Sequence, residues 1–380
     1  MEKSIIGSSH RLGILGGGQL GRMFIQEAIN YDIHVHIMDD SASSPCFSMA
    51  TSFTIGDITD YDDVMSFGKS MDVLTVEIEN VNIQALYDLE KSGVQVFPQP
   101  SVLEIIKDKG LQKQFYAERH LPTAPFEIYQ ERPNLAELET KLPFVQKLRT
   151  GGYDGKGVQI IKTKADLQHS FDAPTIVETL VPFKKELSVI VARNKKGEVA
   201  VYPTVECEFN DANLVSFLFS PATISESIEK NAKALAIEVV NQLNMVGILA
   251  VEFFLTEDDG LLINEIAPRP HNSGHHTIEC NVTSQFEQHL RSILNLPLGS
   301  TEMTRFGAMI NLIGPENVEG KAVYQGLEKA LENSGVHVHL YGKEMTKPHR
   351  KMGHVTVTAN SIEGAKQRAN IIKEVIQITA

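Results

Sequence analysis

Apolar residues along the chain gather in short blocks separated by glycine and polar turns. "RLGILGGGQLGRMFIQEAINYDIHVHIMDD" (Arg11–Asp40) reads as strand, glycine turn, helix and strand. "DVLTVEIE" (Asp72–Glu79) and "VQVF" (Val94–Phe97) add buried strands, which predicts a parallel α/β unit. "DKGLQKQFYAERHLPTAPF" (Asp108–Phe126) then reads as a basic amphipathic helix ending at Pro122. "FVQKLRTGGYDGKGVQIIK" (Phe144–Lys162) predicts two strands joined by a glycine loop, and "PTIVETLVPFKKELSVIVA" (Pro174–Ala192) a strand, a short linker and a second strand. In "VGILAVEFFLTEDDGLLINEIAPRPHNSGHH" (Val246–His276) two apolar strands flank the turn "EDDG". After "FGAMINLIGPENV" (Phe306–Val318) come short strands and a final helix ending near Ile378.

Composition narrows the options. The chain has 380 residues, too many for one ordinary core, which implies two or three domains. With 42% hydrophobic and 22% charged residues it reads as soluble and globular. Acidic residues outnumber Lys and Arg by 48 to 35, a net of −13, which argues against a general nucleic-acid role. The cysteines Cys46, Cys207 and Cys280 lie far apart and read as buried thiols. No apolar run approaches the ~18 residues of a membrane span, and nothing resembles a signal peptide, so a cytoplasmic protein is expected.

Four stretches carry candidate chemistry. Gly16, Gly18 and Gly21 fit G-x-G-x-x-G, with Asp39 and Asp40 where a dinucleotide fold places its ribose-binding acid. The N–H groups of Gly17 to Leu20 would open a helix and face an anion. That pattern suits an NAD-dependent dehydrogenase, another phosphate-bearing ligand, or glycines needed only for close packing. Gln19 and Glu77 stand out as ligand contacts, Glu79 less so. In "TGGYDGKG" a hairpin link needs one or two glycines, whereas Gly151, Gly152, Gly155 and Gly157 occur together. With Lys147 and Lys156 they suit a flap over a polyphosphate, although the Walker A order is absent. Tyr153 and Asp154 sit at its tip. Beyond it, Glu178 and Glu186 could receive the donors of a nucleoside, and an adenine could bond the backbone of Thr179, Leu180 and Val181.

If Thr256 pairs with Leu261 across "EDDG", Glu252 falls opposite Glu265, their Cβ atoms ~5 Å apart. Like charges there must share a proton or bind a cation, and two oxygens beside a polyphosphate suit Mg²⁺. Asn264 should face the other way unless the strand is bulged. Arg269, His271, Asn272 and Ser273 follow in a loop stiffened by Pro268 and Pro270 and read as substrate contacts. Near the C-terminus Lys343, Lys347, Arg350 and Lys351 stand against the single Glu344, a basic cluster fit for an anion.

The glycine flap with its upstream lysine, the "ETLV" linker and the paired glutamates resemble the ATP-grasp superfamily. "GGGQLGRM", "TGGYDGKG" and "NEIAPRPHNSGH" resemble the 5-(carboxyamino)imidazole ribonucleotide synthases within it, from about Leu12 to His354. The resemblance implies an α/β and α+β protein: a Rossmann-like substrate-binding domain over 1–107, an ATP-grasp domain over 108–310 with a flap subdomain about 115–180, and a small β-rich domain over 311–380. It implies ATP as cosubstrate, Mg²⁺ (or Mn²⁺) on Glu252 and Glu265, and bicarbonate and 5-aminoimidazole ribonucleotide as substrates of a homodimer. ATP would be held by Lys109, Lys147, residues 152–157, Glu178 to Val181, Glu186, Asn264 and Glu265. The ribonucleotide would meet Gly18, Gln19, Leu20, Glu77, Tyr153, Asp154, Arg269, His271, Asn272 and Ser273, with Lys343, Arg350 and Lys351 on its phosphate. Asp154 would orient or deprotonate the attacking amine, and Arg269, His271 and Lys343 would surround the activated carboxyl group. Relatives often carry a histidine where this chain reads "PTVECEFN" (Pro203–Asn210), which has none. A formate-dependent glycinamide ribonucleotide transformylase is the nearest alternative, and a non-catalytic nucleotide binder a more distant one.

Overall fold

The computed structural model of the chain describes residues 6–7, 9–152, 157–209 and 215–380. Its N-terminal strands form a parallel five-stranded sheet in the order Ser52–Ile55, His34–Asp39, Arg11–Leu15, Val73–Val76, Gln95–Val96. The three inner strands are largely buried because helices cover both faces. Helix Gln19–Asn30 packs on one side, with Leu12, Ile14 and Phe24 in its core. Helices Tyr61–Gly68 and Ile83–Lys91 pack on the other, over Leu15, Leu74 and Val76. The first strand has neighbours on both sides, from connections running in opposite directions. The crevice at its carboxyl end, where Gln19 opens the helix, is therefore the place where ligands settle in such sheets.

A second, antiparallel sheet is ordered Phe126–Tyr129, Thr175–Thr179, Phe144–Leu148, Val158–Ile161. It roots the glycine loop, since Lys147 pairs with Val158. The third sheet has nine strands. Its main path runs from the hairpin Leu261–Ala267 and Gly247–Thr256 through Phe183–Arg193, Val205–Phe209 and Val215–Ser220 to Phe306–Ile313, Lys351–Ala359 and Val336–Leu340. Strand Phe306–Ile313 spans the expected boundary at 310 and pairs with Val215–Ser220 on one side and Lys351–Ala359 on the other. One sheet thus carries both the glutamate hairpin and the strand that follows the basic C-terminal cluster.

Two expected elements are corrected. The basic helix runs Lys109–Glu118 and stops short of Pro122, because His120 takes a left-handed φ of 56° that no helix continues. The last helix ends at Val375, and Gln377–Thr379 returns as a strand against Val323–Gln325.

Candidate active site

In the hairpin, Leu255, not Thr256, pairs with Leu261, so the connection is one residue longer than the "EDDG" pattern suggests. A bulge then leaves Asn264 unpaired between Ile263 and Glu265, and beyond it Glu252 pairs with Glu265. The same bulge turns Asn264 inward, where its Oδ1 accepts a hydrogen bond from Lys147 Nζ at 2.8 Å. Glu252 is pushed well above the ordinary carboxyl range, by burial first and then by Glu265 and Glu186. Glu265 is held low by Lys109, whose ammonium it contacts directly. A carboxylate pair in which one member resists ionising lacks positive charge, and its hard oxygen donors fit a small divalent cation. Among the described residues no group of three or more His, Cys, Asp or Glu side chains forms a metal cage. Two carboxylates are what Mg²⁺ uses when phosphates and water complete its shell.

Beside the hairpin lies a buried ring of polar contacts. Lys113 and Lys147 bind the two oxygens of Glu178 at 2.8 and 2.9 Å, and all three side chains are at most 8% exposed. Lys113 Nζ also donates to Thr123 Oγ1 at 2.6 Å, and Thr123 Oγ1 donates to the Ile263 carbonyl at 2.7 Å, next to the bulge. The ring closes through Asn264 and Lys147. Burial lowers Lys113 to about 8, while its two lysine partners hold Glu178 down against the opposing effect of burial. Glu186, on the neighbouring strand, is raised to about 7 by burial and Glu265 despite Lys147. Strand Thr175–Thr179 runs one residue past the expected break at Glu178, and the Thr179 N–H is bonded to Pro125 O at 3.0 Å, which takes that amide away from an adenine. That leaves residues 180–182 as the linker before Phe183.

A second cluster forms at the opening of helix Gln19–Asn30. The N–H of Leu20 donates to Glu77 Oε1 at 3.1 Å, and a Cβ on Gly18 would stand 2.7 Å from Glu77 Cδ. The anion met by this turn is therefore a side chain of the protein. Asp39 folds back to accept from the Gly17 N–H at 2.6 Å. Glu77 at the helix end and Asp39 on the turn leave a dinucleotide pyrophosphate no cradle, which removes the dehydrogenase alternative. Gln19 Oε1 accepts from Lys343 Nζ at 2.9 Å, and Lys343 also donates to the Lys351 carbonyl at 2.7 Å. Arg350 bonds Met345 O within the same loop at 2.8 Å. Arg269 Nε lies 2.9 Å from Glu79, so the second acid of that segment belongs to the site too.

Between the clusters stands His271. Its Nδ1 accepts from Ser273 N–H at 3.3 Å and lies 2.9 Å from Ser273 Oγ, which directs Nε2 toward Glu252 Oε1 at 3.7 Å. Ser273 Oγ is bonded to Ser188 Oγ at 2.8 Å. Asn272 is 9% exposed, and among the described residues neither of its amide atoms has a protein partner. Tyr153, Asp154, Gly155 and Lys156 lie outside the described residues. At the loop's edges Gly151 and Gly157 adopt φ of 78° and 79°, which favours glycine. Lys113 escaped notice in the sequence although it follows Lys109 by four positions, one helical turn on the same face. Thr123 carried no local signal at all.

These two clusters, joined by a bulged strand pair, a helix opening and a proline-bounded loop, define an ATP-grasp protein. Residues 114–286 match the ATP-grasp domain family, 9–107 the ribonucleotide synthetase preATP-grasp domain and 307–368 the phosphoribosylaminoimidazole carboxylase C-terminal domain. N5-carboxyaminoimidazole ribonucleotide synthase of Bacillus subtilis is 38% identical, covering 94% of this chain and 93% of its own. The crystal structure of the synthetase from Thermotoga maritima superposes with a TM-score of 0.90 at 41% identity, over 98% of this chain and 99% of that one. The Aspergillus clavatus synthase, solved with ADP and 5-aminoimidazole ribonucleotide, gives 0.87 at 34% identity, over 96% and 98%. The chain belongs to the N5-carboxyaminoimidazole ribonucleotide synthase family. It spans about two thirds of the length of the fungal curated relatives it matches.

Proposed function

We propose that this chain carboxylates the amine of 5-aminoimidazole ribonucleotide with ATP and bicarbonate, forming a C–N bond and releasing ADP and phosphate. The observation that carries the reading is one short loop that meets both clusters: His271 Nε2 lies 3.7 Å from Glu252 Oε1, and Arg269 Nε, two residues earlier, lies 2.9 Å from Glu79 Oε1. A phosphoryl donor and a carboxyl acceptor need such adjacency, because the intermediate between them must not meet water.

Glu252 and Glu265 would hold Mg²⁺, which would neutralise charge on the transferring phosphates. Lys109 and Lys147 flank that place and bind the outer phosphates, with Asn264 orienting Lys147. Bicarbonate oxygen attacks the γ-phosphorus, ADP leaves, and the carboxyl carbon gains phosphate as a leaving group. The amine nitrogen then attacks that carbon, a C–N bond forms, the C–O bond to phosphate breaks, and the amine loses a proton. Asp154 takes or steers that proton, the role the family resemblance gives it. Arg269, His271 and Lys343 surround the carboxyl group, and Asn272 offers a buried amide in need of a partner. Gln19 and Glu77 receive the ribonucleotide, with Lys343, Arg350 and Lys351 toward its phosphate. Glu186 and the backbone of Leu180 and Val181 take the nucleoside. A homodimer working in the cytoplasm completes the reading, and sedimentation of the purified chain as a monomer would remove the first part of it.

The test is ADP release from ATP and 5-aminoimidazole ribonucleotide, with bicarbonate or with formate. Strict dependence on bicarbonate is expected. Turnover of glycinamide ribonucleotide with formate would overturn the proposal in favour of the transformylase.

A further inference from the structure

The loop bearing Arg269 and His271 leaves its sheet at Ala267, so no ladder fixes it. One side chain replaces the ladder. The His271 N–H donates to Gln285 Oε1 at 2.9 Å, and Gln285 Nε2 donates to His271 O at 2.7 Å. A single amide thus closes both backbone groups of His271, as a neighbouring strand would. Gln285 is fully buried and opens helix Gln285–Ile293, and its N–H donates to Thr277 Oγ1 at 2.8 Å. Its Nε2 also lies 3.0 Å from His275 Nδ1. The His275 ring stands 4.8 Å from that of His354, which is bonded through Nδ1 to Tyr341 OH at 2.9 Å. Tyr341 precedes Lys343 by two residues and His354 follows Lys351 by three, so one buried network backs both cation-bearing loops. Gly274 exists to admit it, since an added Cβ would overlap Gln285 Oε1 and stand 2.5 Å from Cδ.

We propose that Gln285 is a positioning residue for carboxylation: it sets Arg269 and His271 against Lys343, on the side of the site that meets the ribonucleotide. This rests on the function proposed above. Hydrogen bonds that support metal-binding side chains are worth about tenfold to a hundredfold, and an effect of that order is expected here.

Two variants displace the amide independently. Gln285→Met removes both bonds at similar volume, and Gly274→Ala crowds the amide out while leaving it chemically intact. Steady-state kinetics of the whole chain, with thermal unfolding in parallel, form the test. In both variants the KM for 5-aminoimidazole ribonucleotide should rise about tenfold. The KM for ATP should stay within about twofold, and ADP should be released in excess of carboxylated product. If Gln285→Met does not fold, Gly274→Ala carries the test alone. Equal rises in both KM values, or a lowered Tm with unchanged coupling of ADP to product, would overturn the positioning role. Wild-type chain that fails to carboxylate with bicarbonate would instead bring down the functional reading beneath it.

Discussion

Around Glu252 and Glu265 the side chains come largely from strands in fixed register, and Lys109, Lys113 and Lys147 face Glu178, Glu186, Glu252 and Glu265. Around Glu77 they come from four segments that meet only at their ends: the turn before Gln19, the end of strand Val73–Val76, the loop at 268–271 and the loop at Lys343. The first region is held in place by strand ladders, by helix Lys109–Glu118 and by a closed ring of polar contacts. The second is held by side-chain contacts between distant segments, with no ladder linking them. Phosphoryl transfer gains most from charges fixed in advance, whereas a site that must admit a ribonucleotide needs segments that can part.

The largest effect should come from the rigid side. Glu265→Gln removes a carboxylate that Lys109 keeps ionised. ADP release in a Mg²⁺ titration should fall on the order of 10²- to 10³-fold. Glu252→Gln should behave similarly, although glutamine imitates its protonated form, because the ionised form is the one that binds a cation. Full turnover in both variants would break the comparison at its first term. Lys113→Met would leave Glu178 buried with one ammonium instead of two, a loss of about 3 kcal/mol in urea unfolding. A variant as stable as wild type would show that Lys147 alone satisfies Glu178.

On the looser side, Lys343→Met should raise the KM for 5-aminoimidazole ribonucleotide roughly tenfold, as for one lost hydrogen bond to a charged group, and leave the KM for ATP unchanged. An equal rise in both would mean that the two regions act as one.

The difference between the regions also decided what could be read from the sequence. The parallel sheet was legible because doubly covered strands are continuous apolar runs. The facing of Glu252 and Glu265 was legible too, although through two compensating departures: the turn is one residue longer than expected, and the bulge at Asn264 restores the register. No alternation of apolar and polar positions announces a bulge, so the direction of Asn264 stayed open until the strand was seen. Lys113 could have been found one turn after Lys109. Gln285 could not, because its partner His271 lies 14 positions away in a loop without period. That strand Phe306–Ile313 would continue the glutamate sheet into the C-terminal strands depends on pairings between distant segments.

The smallest effect is one of pH and concerns Glu77. Burial, opposed by Arg269, the Leu20 N–H and Lys343, raises its carboxyl from 4.5 to about 7. The unfolded chain ionises near the lower value. Below it both states carry the proton and the stabilising contribution is complete. Between the two values the folded state keeps a proton that the unfolded state has lost, so stability falls as pH rises. Above the upper value both are ionised and the contribution is gone. Each pH unit of separation is worth about 1.4 kcal/mol. Because the site is partly open to water, wild type should lose on the order of 1–2 kcal/mol more than Glu77→Gln between about pH 5 and pH 7.5. Urea midpoints of both proteins at the two pH values measure it. Equal losses would mean that the helix opening accommodates the carboxylate without strain, and that the looser region is better prepared for charge than its segmented construction suggests.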